Sequence, residues 1–205
     1  MSSSNAAPRA WQRMLSGRRL DLINPSPLDI ELSDIAHGLA RVARWNGQTI
    51  GRHAFSVAQH SVLVEQIFSH LKPKASAADR MAALLHDAPE YVIGDMISPF
   101  KAIVGGDYKS VERRLQEAIH LRFGLPAQMT KTLKDAIKRA DRISAFFEAI
   151  QLAGFSESEA ARLFGRPRGI SPDALPIEPM SATRVQRLFS RRFEEIETGR
   201  PKSTE

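Results

Sequence analysis

The run Ala83-Leu84-Leu85-His86-Asp87-Ala88-Pro89-Glu90 sets a histidine and two carboxylates into an otherwise apolar segment that should be helical and buried. Burying such groups costs free energy unless something pairs with them. Imidazole and carboxylate together suit a divalent first-row transition metal better than magnesium or calcium. On a helix, Glu90 overhangs the same face as His86 and Asp87, so an ion held by that pair would have a free carboxylate beside it. Pro89 denies a backbone hydrogen bond to Leu85 and predicts a kink or a fresh helical turn here. An adjacent His-Asp pair is a weak signal by itself, so further ligands must come from elsewhere in the chain.

Two segments supply them. In the stretch from Phe55 to Phe68 the apolar stripe runs through His60, Val64, Ile67 and Leu71, which points His60 inward. In the basic stretch from Leu133 to Phe147 the stripe runs through Leu133, Ile137, Ala140, Ser144 and Phe147. Asp141 sits beside it, a carboxylate aimed at the core. The chain has no cysteine, so disulfides and thiolate sites are excluded and any metal must be held by His, Asp or Glu.

The pattern elsewhere is helix after helix. The spacing predicts helices at about 9–16, 33–45, 55–71, 77–92, 107–122, 130–153, 157–164 and 181–198, and no strand. Ser76 with Asp79, Ser156 with Glu159, Thr130 and Ser181 read as starts. Gly124 with Pro126, and Gly154, read as stops. The stretch from Gly165 to Pro179 reads as a long loop, mobile or packed over something. A length of 205 residues with 42% hydrophobic content and no long apolar run fits one domain and excludes a membrane-spanning helix. The polar N-terminus lacks the apolar centre of a signal peptide, so a cytoplasmic location is expected.

The order H…HD…D formed by His60, His86, Asp87 and Asp141 resembles the HD superfamily of metal-dependent phosphohydrolases. The segment from His86 to Lys101, with Glu90, Gly94-Asp95 and Pro99-x-Lys101, looks like the corresponding stretch of bacterial 5′-deoxynucleotidases, as does Arg44-Trp45 followed by Gln59-His60-Ser61. Phage dATP triphosphohydrolases share part of this second stretch. The resemblance covers about residues 32–150 and implies an all-α, single HD-domain helical bundle with the metal site in its core. It divides the chain into an N-terminal basic arm (1–28), an HD-domain core (29–155) and a C-terminal helical extension (156–205). It implies one divalent transition metal (Co, Mn, Fe, Ni or Zn) on His60, His86, Asp87 and Asp141, and a homodimer. Glu90 becomes the general base or water-positioner and Asp95 a carboxylate on the leaving-group side. Arg44, Trp45 and Lys101 become substrate contacts. His53, on the loop between Arg44 and His60, is a further candidate contact, whereas His37, His70 and His120 read as structural or exposed.

The implied activity is a nucleotide phosphohydrolase, foremost a 5′-nucleotidase acting on (deoxy)nucleoside monophosphates, with a deoxynucleoside triphosphate triphosphohydrolase as the alternative. A formal charge of +6 and a pI near 10 also admit an electrostatic nucleic-acid binder. The arginines near both ends lie outside the matched core and show no aromatic interleaving, so no specific nucleic acid is expected. A nucleotide sensor that keeps the metal but performs no chemistry would have no need of Glu90.

Overall fold

The computed structural model describes residues 9–97, 106–171, 175 and 177–200. Helices dominate, as the patterning predicts. They are α1 (Leu32–Leu39), α2 (Val57–Leu71), α3 (Ala77–Leu84), α4 (Glu90–Ile93), α5 (Gly106–Arg122), α6 (Lys131–Gln151), α7 (Glu157–Phe164) and α8 (Ala182–Thr198). Ser76 and Ser156 form reciprocal capping boxes with Asp79 and Glu159, and Thr130 accepts from the Leu133 amide. Ser181 sits at the cap position of α8 without a side-chain bond to the helix.

The core is built around α2, which buries most of its faces, from Val57 to Glu65 and again at Ile67 and Phe68. It packs on α3, α6 and α8. Glu65 lies on this helix with no exposed surface and is matched by three donors: Ser69 Oγ at 2.7 Å, Arg80 Nε of α3 at 2.9 Å and Arg192 Nε of α8 at 2.6 Å. A buried carboxylate satisfied from three helices fixes their relative positions, because leaving any donor or the acid itself unpaired is costly.

Three expectations are corrected. The helix expected at 9–16 is instead the first part of an antiparallel hairpin, β1 (Trp11–Arg13) with β2 (Arg19–Asp21), so the chain does contain strands. Gly17, at φ 91°, makes the turn. Leu20 is driven into the core, and Arg9, Arg13 and Arg19 gather 4.5–5.7 Å from the Trp11 ring. Ser16 binds Asp34 of α1 through both its amide (2.9 Å) and its hydroxyl (2.5 Å). These long-range contacts outweigh local helix preference over so short a segment.

The helix expected at 33–45 stops at Leu39. Residues 42–44 leave it to pair with the start of α2: the Arg44 amide donates to Phe55 O at 2.8 Å and the Val57 amide to Val42 O at 3.0 Å. The helix expected at 77–92 is split. α3 ends at Leu84, and a turn carries His86 and Asp87 before Pro89 caps the single turn of α4. The long loop before α8 is packed down where it is described, because Gln151 accepts from the Ile177 amide (2.9 Å) and Gln59 from the Met180 amide (3.2 Å).

α1 and α4 approach closely at Gly38, where an added Cβ would stand 2.8 Å from the Tyr91 carbonyl oxygen and 2.9 Å from Tyr91 Cβ. Backbone cannot yield as a flexible side chain does. Gly38→Ala should therefore cost about 1–3 kcal/mol of overpacking, more than the ~1 kcal/mol gained in helix propensity. Urea unfolding should show a lower midpoint at an unchanged slope, and a variant as stable as the parent would mean that this contact relaxes freely.

Candidate metal centre and active site

Three separate stretches of chain meet at one point. His60 comes from the first turns of α2, His86 and Asp87 from the turn after α3, and Asp141 from the middle of α6. Donor atoms of His60, His86 and Asp141 all lie within 4.8 Å of one another. Asp87 Oδ2 stands 3.4 Å from His60 Nε2 and 3.2 Å from His86 Nε2, and Asp141 Oδ1 stands 3.3 Å from His60 Nε2. The four residues singled out in the sequence are thus brought together.

Both imidazoles are held by their other nitrogen. His86 Nδ1 lies 3.0 Å from the Ala83 carbonyl, and His60 Nδ1 lies 2.5 Å from Glu148 Oε1. Each Nδ1–H therefore points at protein oxygen, which turns Nε2 toward the shared point. Both Nε2 atoms are buried and neither makes a hydrogen bond of sound geometry. Two orphaned imidazole nitrogens facing two carboxylates form a donor set that a divalent transition metal fits.

The charge distribution agrees. Burial and the neighbouring Arg44 both oppose a charged His60, yet Glu148, Asp141 and Asp87 outweigh them and hold its pKa well above the ordinary value. Burial would raise the Asp87 carboxyl, but His86 and His60 hold it well below its usual range; Asp141 is lowered too, against burial, by His60 and His86. The pocket carries an excess of carboxylate that a cation would neutralise.

Glu148, one helical turn after Ser144 on α6, is a member of this network that is not among the residues singled out in the sequence. It has no exposed surface. Oε1 takes His60 Nδ1 and the Ser144 hydroxyl (2.7 Å), while Oε2 takes the Trp45 indole N–H (2.8 Å) and the Arg44 guanidinium (3.4 Å). His60 and Arg44 hold its pKa down against the effect of burial. Its signal was legible: an acid inside Ala145-Phe146-Phe147-Glu148-Ala149-Ile150 breaks an apolar run just as Asp87 does.

Arg44 is not on a helix but on a short 3-10 turn (Arg44–Gly47). Its side chain is 14% exposed, and Nη1 lies 3.8 Å from both Asp87 and Asp95. Burial opposes its charge, but Glu148, Asp87 and Asp95 hold its pKa above the ordinary value. Trp45 packs its ring on Phe155 and Phe164, at 5.7 and 5.9 Å between centroids, instead of presenting it to open space. Glu90 is 2% exposed and shares a cleft of about 470 Å³ with His86, Asp87 and the inner face of α5. His53 is exposed on the loop before α2 and takes no part in this network. Lys101 lies outside the described residues. His120 is buried, with Nδ1 3.1 Å from the Pro126 carbonyl, and lies in the lining of the same cleft as Glu90.

Because Glu148 orients His60, Glu148→Gln should weaken divalent-ion binding by about 10–100-fold. Competition with a chromophoric chelator, with helicity checked by circular dichroism, measures this. Unchanged affinity in a folded variant would remove Glu148 from the support of the site.

Residues 34–160 match the family model described as 5′-deoxynucleotidase YfbR-like. An uncharacterized protein of Rhodobacter capsulatus is 57% identical over 184 residues, covering 90% of this chain and 94% of the relative. The uncharacterized protein YfdR of Escherichia coli is 32% identical over 168 residues, covering 82% and 85%. The chain belongs to the 5′-deoxynucleotidase YfbR-like family, a phosphohydrolase family of the HD type.

Proposed function

We propose that this chain is a divalent-metal-dependent phosphohydrolase that releases orthophosphate from (deoxy)nucleoside 5′-monophosphates in the cytoplasm. The observation that carries this reading is the convergence of two orphaned imidazole nitrogens on Asp87 and Asp141 beside a largely enclosed arginine. His60, His86, Asp87 and Asp141 would hold the ion, and donors of this kind accept cobalt, manganese, iron, nickel or zinc. When bound, it supplies the Lewis acidity that phosphate-ester hydrolysis requires.

The remaining work falls to the chain. Arg44 turns its guanidinium toward the Asp87 side of the cluster, where a planar cation meets phosphate oxygens as charge builds on them. Glu90 accepts the proton of the attacking water, since its carboxylate shares the cleft of His86 and Asp87. Asp95, across Arg44 from Glu148, serves the leaving-group side. Trp45, packed on Phe155 and Phe164, keeps Arg44 in place through Glu148, and its contact with the substrate rests on the resemblance alone. Lys101 joins the substrate contacts on the strength of the resemblance alone, and His53 only for its place on the loop between Arg44 and His60.

Monophosphates are favoured over triphosphates by the charge of the cleft. Lys109, Arg113 and Lys134 line it, but so do Glu112 and Glu117. A triphosphate usually recruits an unopposed cluster of cations or a further metal ion.

A panel of nucleoside mono-, di- and triphosphates, assayed with each of several divalent ions for orthophosphate, pyrophosphate and triphosphate, tests the reaction. Orthophosphate from deoxynucleoside monophosphates should dominate; intact triphosphate released from a deoxynucleoside triphosphate at higher kcat/KM would overturn it. His86→Ala and Asp87→Ala should each lose bound metal together with activity, read by elemental analysis.

Chemistry separates from binding at Glu90. Glu90→Ala should retain the metal and the nucleotide yet lose about 10²–10⁴ in kcat. Turnover near that of the parent would make Glu90 a structural acid, and loss of metal would move it among the ligands.

A further inference from the structure

A second open cleft, of about 510 Å³, lies between α6 and the loop that follows α7, and its lining includes none of the proposed metal ligands. Five cations surround it: Lys138, Arg139 and Arg142 from α6, and Arg166 and Arg168 from the loop. The lining has one carboxylate, Asp135, and that acid is taken by Lys131 at 2.6 Å. Arg166 has only a loose contact with Glu157, at 3.9 Å and well exposed on both sides. Among the described residues the other four make no ion pair. Like charges collected around one concavity repel each other, and a polyanion relieves that repulsion.

The cleft also has apolar walls. Ile143 is 6% exposed beneath it, and Phe164 closes one side. The loop that carries the arginines is bracketed by Gly165 (φ 81°) and Gly169 (φ 85°), left-handed positions that fold it back over α6, with Pro167 stiffening its middle. A volume of this size suits a small ligand. Cations that ring a hollow, instead of running as a stripe along a surface, match a short polyphosphate tail better than a nucleic-acid backbone.

We propose that this cleft is a second nucleotide site that binds a nucleoside triphosphate, its phosphates on the five cations and its base against Ile143 and Phe164. Phe164 meets the Trp45 ring edge-on at 5.9 Å, and the Trp45 indole N–H donates to Glu148, the acid that orients His60. Occupancy is therefore felt at the metal cluster through Phe164, Trp45 and Glu148. The binding step stands apart from the hydrolytic reading of that cluster; the effect on turnover rests on it.

Titrating dATP into the full chain with excess EDTA, followed by calorimetry and by tryptophan emission, tests the site. The chain has two tryptophans, so Trp11→Phe leaves Trp45 as the reporter. One dATP should bind, shift the Trp45 emission, and bind more tightly than inorganic triphosphate. Arg139→Glu combined with Arg166→Glu should weaken dATP by about tenfold or more, while dAMP hydrolysis by the metal-loaded protein stays within about threefold of the parent when no triphosphate is added. Phe164→Leu leaves an apolar wall for the base, so it should retain most of the dATP binding while losing the emission change. Absence of dATP binding, equal binding by the charge-reversed variant, or tighter binding of a single-stranded oligonucleotide than of dATP overturns the proposal. If dATP binds as expected but no nucleotide is hydrolysed with any metal, the second site stands and the phosphohydrolase reading falls.

Discussion

The arrangement of this site depends on one buried carboxylate. Glu148 has no exposed surface and is bonded to a histidine, a serine, a tryptophan and an arginine drawn from three parts of the chain. Removing one partner of a buried ion pair typically costs about 3–5 kcal/mol, because the other charge is left in low dielectric. Glu148 thereby couples two jobs usually described apart. It turns His60 Nε2 toward the shared point of the cluster and anchors Arg44, so in the proposed reaction metal binding and catalysis would share a single support.

Glu65 repeats the same device on the far side of α2, where it joins α3 and α8. One helix thus carries two satisfied internal charges, one from its own sequence and one received from α6. Neither is cheap to bury, and each ties neighbouring helices together through directional bonds that fail if a helix shifts. The fold positions its site by charge matching as much as by packing.

Residues with a periodic context were the most legible in the sequence. His60 and Asp141 announced themselves by interrupting or flanking apolar stripes, and the paired caps at Ser76 and Ser156 marked helix starts that the structure keeps. Glu148 obeyed the same rule as Asp141, but it lay deeper in a run of phenylalanines and alanines that reads as plain core. The hairpin escaped for a different reason: three-residue strands are too short to display an alternating pattern, and what stabilises them, the Ser16 to Asp34 bonds, spans eighteen positions. The local pattern puts Arg44 on a helix because nothing near it signals that residues 42–44 pair with residues 55–57.

The turn that carries Arg44 holds two non-glycine residues in left-handed backbone conformation, Trp45 at φ 56° and Asn46 at φ 50°. Asparagine tolerates that conformation, but for Trp45 it costs about 1–2 kcal/mol. A glycine would sit there more easily, but Trp45 donates to Glu148 while packing against Phe155 and Phe164. The backbone behaves as a compressed spring and the two phenylalanines as its catch. Whether Arg44 stays cocked toward the cluster is thus decided by the fit of Phe155 and of α7, a part of the chain that supplies none of the four clustered residues.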